Sequence, residues 1–226
     1  MATPRVVFLP IAPLQNEHRR PSGANERRLV SNWRCRSKCA NLSWKGGFEA
    51  DVLHDSLLYA TVSRGFKSGG FNTQSVAAAP GQALPFQPEI LTSYEAGLKS
   101  RFLDNRLQAN VSAFYWDYQN HQEPVITYTD VPGVTNLVFL NTGAARIYGG
   151  DLDIVARPWA GETISGSVEY VHSAYTNFSK TIPTFAYDLA ATGCRVAAQD
   201  PANTTLDCSG FEVSRIPQWS GGVGLT

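Results

Sequence analysis

The chain has 226 residues, 43% of them hydrophobic and 17% charged, with 19 Lys+Arg balancing 19 Asp+Glu. No apolar run reaches the roughly 18 residues of a transmembrane helix. One Met beside 11 Phe, 9 Tyr, 5 Trp and 19 Gly favours strands and turns over long soluble helices.

Residues 1–40 hold eight Lys+Arg and two Asp+Glu, a balance of +6; the remainder holds 19 − 8 = 11 basic and 19 − 2 = 17 acidic residues, a balance of −6. This break predicts two unlike segments, a disordered or non-native stretch over 1–40 and an ordered domain over 41–226. The apolar run Val6–Leu9 is flanked by Pro4 and Pro10 and is too short for a secretory signal. Cys35 and Cys39 lack a second ligand pair for zinc, so no metal site is expected. The basic residues read as a solvated tail rather than a nucleic-acid contact.

From Asn41 the hydropathy alternates with period two, the signature of strands. In Leu42–Val52, Leu42, Trp44, Phe48, Ala50 and Val52 share one face, and Ser43, Lys45, Glu49 and Asp51 the other. The pattern recurs over Leu57–Phe66, Ser93–Phe102, Leu107–Tyr115, Gly150–Arg157, Thr163–Ala174 and Arg215–Thr226. These are about seven strands of roughly ten residues, longer than the five or six usual in soluble proteins and matched to a tilted membrane strand. Short turns at Leu53–Ser56, Leu103–Arg106 and Trp159–Glu162 alternate with long loops at Gly69–Leu91, Gln119–Thr142 and Ser179–Ser214. Outer-membrane barrels connect their strands this way, with short periplasmic turns and long extracellular loops. The predicted fold is therefore all-β, an antiparallel up-and-down transmembrane β-barrel, present here in part. Trp44, Phe66, Phe102, Trp159, Tyr175 and Trp219 are candidates for its aromatic girdles.

Cys194 and Cys208 lie in the longest loop. A disulfide between them suits an extracytoplasmic compartment, and closing a loop of about 15 residues contributes roughly 3 kcal/mol. No set of nucleophile, base and stabiliser is visible, so an enzyme is not expected. Asp151 and Asp153 share a face that would line a wet lumen.

SLLYATVSRGFKSGGFN (Ser56–Asn72), PEILTSYEAGLKSRFLDNRLQANVSAFYWDYQNHQ (Pro88–Gln122) and NTGAARIYGGDLDI (Asn141–Ile154) resemble strand and loop elements of TonB-dependent receptor barrels, most closely those of iron-siderophore receptors. The resemblance covers roughly Asn41–Thr226. It implies a place in the cell outer membrane, in contact with its lipid, and active uptake of a ferric siderophore or a similar large, scarce ligand. An intact receptor of this kind works with the TonB complex. No cofactor is implied. With no plug domain or TonB box recognised before Asn41 and no aromatic strand end at Thr226, the chain is expected to be an internal portion of the barrel, inactive alone. By position, Arg64, Lys67, Asp117, Tyr118, His121 and Tyr128 are the candidate ligand contacts, Arg64 and Lys67 suiting an anionic complex. An oligomeric porin-like pore and a soluble β-rich binding module remain the alternatives.

Overall fold

In a computed structural model, the described residues are 5–9, 41–72, 85–128, 135–183, 193–201 and 203–226. They form strands and turns, with no helix among them. The strands are β1 (Arg5–Leu9), β2 (Trp44–Leu53), β3 (Ser56–Lys67), β4 (Gly70–Phe71), β5 (Pro85–Phe86), β6 (Glu89–Phe102) and β7 (Leu107–Tyr128). They continue with β8 (Thr135–Ala156), β9 (Ile164–Asn177), β10 (Ser179–Pro183), β11 (Arg195–Gln199), β12 (Asn203–Asp207) and β13 (Trp219–Leu225). Eight make one antiparallel meander in the order β1-β2-β3-β6-β7-β8-β9-β13. Among the described residues its two edge strands do not meet, so the sheet is an open section of barrel wall.

Seven of these eight strands carry the alternation found after Asn41. The eighth, β1, falls within the segment set apart as disordered or non-native: Arg5 lies opposite Glu49 and Leu9 opposite Lys45. The rest of that segment, with Cys35 and Cys39, lies outside the described residues.

Short turns close one end of the wall. Asp55 (φ 61) and the consecutive Leu103, Asp104 and Asn105 (φ 53, 52 and 65) take left-handed conformations, which Asp and Asn tolerate best. The opposite end departs from expectation. The stretch expected as a loop over Gln119–Thr142 is mostly strand, because β7 and β8 each run 22 residues and stay paired to Tyr128 and Thr135. The other two long connections also contain sheet, the β4–β5 pair and the three-stranded β10-β12-β11.

The pairing register sorts the wall into two faces, since directly opposed residues of an antiparallel pair share a side. One row reads Leu98, Val111, Leu152, Val168 across β6, β7, β8 and β9. Phe102, Leu107, Ala156 and Ile164 form the row at the turn end. Toward the other end comes Tyr94, Tyr115, Tyr148, His172, with adjacent ring centroids 6.3, 6.5 and 4.8 Å apart. This face is solvent-exposed in the isolated chain: Val111 is 49% accessible, Tyr94 47% and Val223 82%. From Phe102 to Tyr94 is about 27 Å along the strand, the scale of the apolar band of a membrane barrel. A contiguous apolar face of this extent needs an apolar partner.

The other face is polar. Tyr59 donates to Glu95 (2.7 Å) and lies flat across Gly97, while Lys99 sits 5.1 Å from the same ring. Ser112 donates to Asp151 (2.5 Å) and Ser220 to Glu169 (2.9 Å). Asp151 and Asp153 both lie here, lining an open depression of about 500 Å³ with Glu169 and Ser220. A second, of about 540 Å³, lies at the turn end against Asp51, Lys99 and Arg101. Of the expected girdle aromatics, Trp44, Phe66, Phe102 and Trp219 follow the outward parity, and Trp219 packs 4.8 Å from Tyr170. Trp159 sits exposed in a turn. Tyr175 is the correction: it follows the inward parity of β9, is 4% exposed and packs with Ala145 and Val213. A ring at a lipid–water boundary keeps one edge accessible; this one is enclosed.

Candidate functional site

Among the described residues, the inward face carries a polar cluster where the wall passes beyond the aromatic row. A β-bulge builds it. Asn120 takes φ 53, and the β7–β8 register slips between Gln119 and Gln122. The slip places His121 opposite Gly143 and brings Tyr118, His121 and Glu123 to the same side. Gly143 (φ 118) passes so close to the Asn177 carbonyl that a Cβ there would collide with it. Bulges re-aim side chains in this way, and Asn tolerates the left-handed residue they need.

His121 lies between two carboxylates. Its Nδ1 is 3.1 Å from Glu89 Oε2 and its Nε2 is 3.6 Å from Glu123 Oε1. The Tyr175 hydroxyl donates to Glu123 in turn. The bond to Glu123 and then that to Glu89 outweigh burial, so the imidazole is pushed up to about 9 and carries a proton at neutral pH. Burial raises Glu89, but His121 and the Gln122 N–H (2.7 Å) bring its carboxyl below the usual range. Glu123 is lowered chiefly by His121. Burial holds the nearby Lys180 ammonium below its ordinary value, partly offset by Glu123.

Around this cluster the outer segments are stitched together by side chain–backbone bonds. The Gln122 amide donates to the Gln87 carbonyl (2.9 Å) and the Ser68 carbonyl (3.1 Å). Asn72 and the Phe139 backbone exchange two bonds, 2.8 and 2.7 Å, as a strand pair would. Asn141 accepts from the Gln87 N–H (2.6 Å) and donates to the Gln87 and Asn120 carbonyls. On the other side the Cys194–Cys208 disulfide closes the β11–β12 hairpin, with Leu206 and Phe178 packed beside it. The segment leading to β13 then runs along β9: Tyr175 N–H donates to Phe211 O (2.8 Å), and Val213 N–H to Ser173 Oγ (3.2 Å).

The structure divides the six residues picked from sequence. Lys67, Tyr118 and His121 are on the inward side, with Lys67 directly opposite Glu89 and the rings of Tyr118 and His121 edge to face at 5.6 Å. Arg64 and Asp117 follow the outward parity, in the row Trp44, Arg64, Thr92, Asp117, Arg146. Tyr128 ends β7, and its side chain lies outside the described residues. Glu89, Glu123 and Lys180 are not singled out by the sequence, and Tyr175 only as a girdle ring. Asn120, a residue type that tolerates the left-handed conformation, is the sequence signal for the bulge that gathers them.

Residues 22–226 match the family described as TonB dependent receptor-like, beta-barrel. The chain belongs to this family. Its fold is similar to that of the ferric yersiniabactin uptake receptor FyuA from Yersinia pestis, with a TM-score of 0.56 and 17% identity over 84% of this chain and 23% of that one. The alcaligin outer-membrane receptor FauA from Bordetella pertussis matches with a TM-score of 0.41 and 22% identity over 60% of this chain and 23% of that one. The copper transporter OprC gives a TM-score of 0.45 and 20% identity over 60% and 22%. The chain thus spans about a quarter of the length of the structures it matches. The match begins at residue 22, within the segment separated on charge. The family consists of outer-membrane transport receptors.

Proposed function

We propose that this chain forms part of the wall of an outer-membrane receptor for active uptake of a large, scarce ligand, a ferric siderophore or a similar chelate, driven through the TonB complex. The observation that carries the reading is the two-faced wall. An apolar and aromatic outward face suited to lipid backs a charged inward face, and structured outer segments stand at one end only. A passive channel has no need of so many polar bonds locking its mouth. Residues 41–226 are the barrel portion in this reading, and β1 is an edge strand added to it.

The ligand would meet the inward cluster at the mouth. Lys67, Tyr118 and His121 supply two cations and a phenol, tempered by Glu89 and Glu123. Arg64 and Asp117 have no part in that contact, since they follow the opposite face.

The test is uptake of radiolabelled iron from a panel of ferric chelates, and of copper, by the source bacterium before and after deletion of the coding region. Loss of uptake of one ligand is expected, with the Lys67→Ala and His121→Ala alleles reproducing a large part of it. Unchanged uptake of the whole panel would overturn the proposal.

A further inference from the structure

Among the described residues, the outward face holds a charge with no acidic partner. Arg64 stands on β3 between Val62 and Phe66, opposite Trp44 on one side and Thr92 on the other. Among the described residues it makes no ion pair, and no acidic side chain adjoins it on that face. Three strands along the wall, past Thr92 and Asp117, Arg146 shares the row; its side chain is 58% exposed, and Asp117 meets its Nε at a loose 3.8 Å. The row lies one step beyond Tyr94, Tyr115 and Tyr148, the rings that mark the lipid–water boundary. Phe66 and Ile90 lie beyond Arg64 on the same face, so this guanidinium is set within the boundary rather than in open water.

A guanidinium at the boundary, short of open water, gains from an anion that meets its donors. The planar fork of Arg matches phosphate oxygens two at a time. We propose that Arg64 and Arg146 form a docking row for the phosphate groups of anionic lipid in the outer leaflet. The wall is thereby fixed in depth and tilt by headgroups on its outside, while the ligand is handled on its inside. The two sites are on opposite faces and share no residue. The proposal rests on the membrane placement given above.

The test is co-flotation of the full chain, folded in their presence, with vesicles of phosphatidylcholine alone or mixed with phosphatidylglycerol. The wild type should bind both and prefer the anionic mixture. With about 1 kcal/mol per basic residue near a charged surface, R64Q/R146Q should lose roughly tenfold or more of that preference. It should keep its binding to phosphatidylcholine. R64K/R146K should retain most of the preference, and Asp117→Asn should increase it. An undiminished preference in R64Q/R146Q overturns the docking row and points to basic residues elsewhere, the eight within residues 1–40 among them. Wild-type binding without preference overturns it as well. No binding to either vesicle overturns the membrane reading and the docking row together.

Discussion

The wall between the turn end and the aromatic row is held together differently from the region beyond that row. In the wall the backbone ladder does nearly everything. The large apolar side chains point away from the protein, so it has almost no core of its own. Beyond the aromatic row the buried residues appear: Val138, Ala145, Tyr175, Leu206 and Val213. There strands leave the simple ladder, and side chains complete bonds that the backbone cannot. The first region needs the right solvent; the second needs the right partners.

The sharpest way to break the comparison is to place a charge on the wall. Val111 sits in the middle row of the outward face, two rows from either end of the apolar band. Val111→Arg should weaken folding into vesicles by roughly 2–4 kcal/mol, as for a charge at the bilayer midplane. The same change at Asn110, on the inward side, should cost far less. Urea titration of vesicle-inserted protein reads both. Equal costs would mean that the outward face does not meet lipid.

Next is the disulfide, which belongs to the outer region alone. Removing a cross-link that closes a loop of about 15 residues costs roughly 3 kcal/mol. Cys194→Ser should raise protease cleavage within 193–210 by about a hundredfold where local opening controls cutting. The resistance of β6, β7 and β8 near the turn end should not change. A uniform rise along the whole chain would show that the two regions unfold as one.

How far each region was legible follows from this difference. Every strand of the wall was readable after Asn41, because a face in lipid and a face in water impose strict alternation on residues such as Leu98/Lys99 and Ile154/Asp153. The turns were readable from Asp104-Asn105 and Ala160-Gly161. Beyond the aromatic row the outward face is no longer continuously apolar, so alternation constrains the residues less. The continuation of β7 past Asn120 therefore reads as a loop in the sequence, and Tyr175 as a girdle ring. Closeness to a loop selects Arg64 and Asp117 in the sequence, and only the register shows which face they take. The Asn72–Phe139 pair spans 67 residues in sequence, and nothing local announces it.

The His121 cluster gives a smaller, pH-dependent effect. Its folded-state proton affinity is raised from 6.5 to about 9, so the stability it adds is fully present below about 6.5 and is lost as pH rises through about 9. Glu89 and Glu123 are lowered from 4.5, so their contribution is present above that value and lost as pH falls beneath it. Hydrogen exchange of amides 118–123, corrected for intrinsic pH dependence, should show greatest protection between these limits. In His121→Gln the loss of protection near pH 9 should disappear. A profile unchanged by that substitution would assign the titration elsewhere.

The smallest effect separates a stitched junction from one that merely touches. Gln122 is 4% exposed, and its side-chain amide serves two carbonyls of the segment before β6. Gln122→Ala removes both bonds and leaves the carbonyls of Ser68 and Gln87 short of a donor, at about 1 kcal/mol for each net bond. The loss is local, since Asn141 still donates to Gln87. Exchange should quicken at the 68–72 amides and at those of Phe86 and Gln87, while the amides of Tyr94 to Phe102 on β6 stay as slow as in the wild type. Were the β6 wall to loosen too, the outer bonds would be supporting the ladder beneath them. The wall would then depend on its mouth as well as on its lipid.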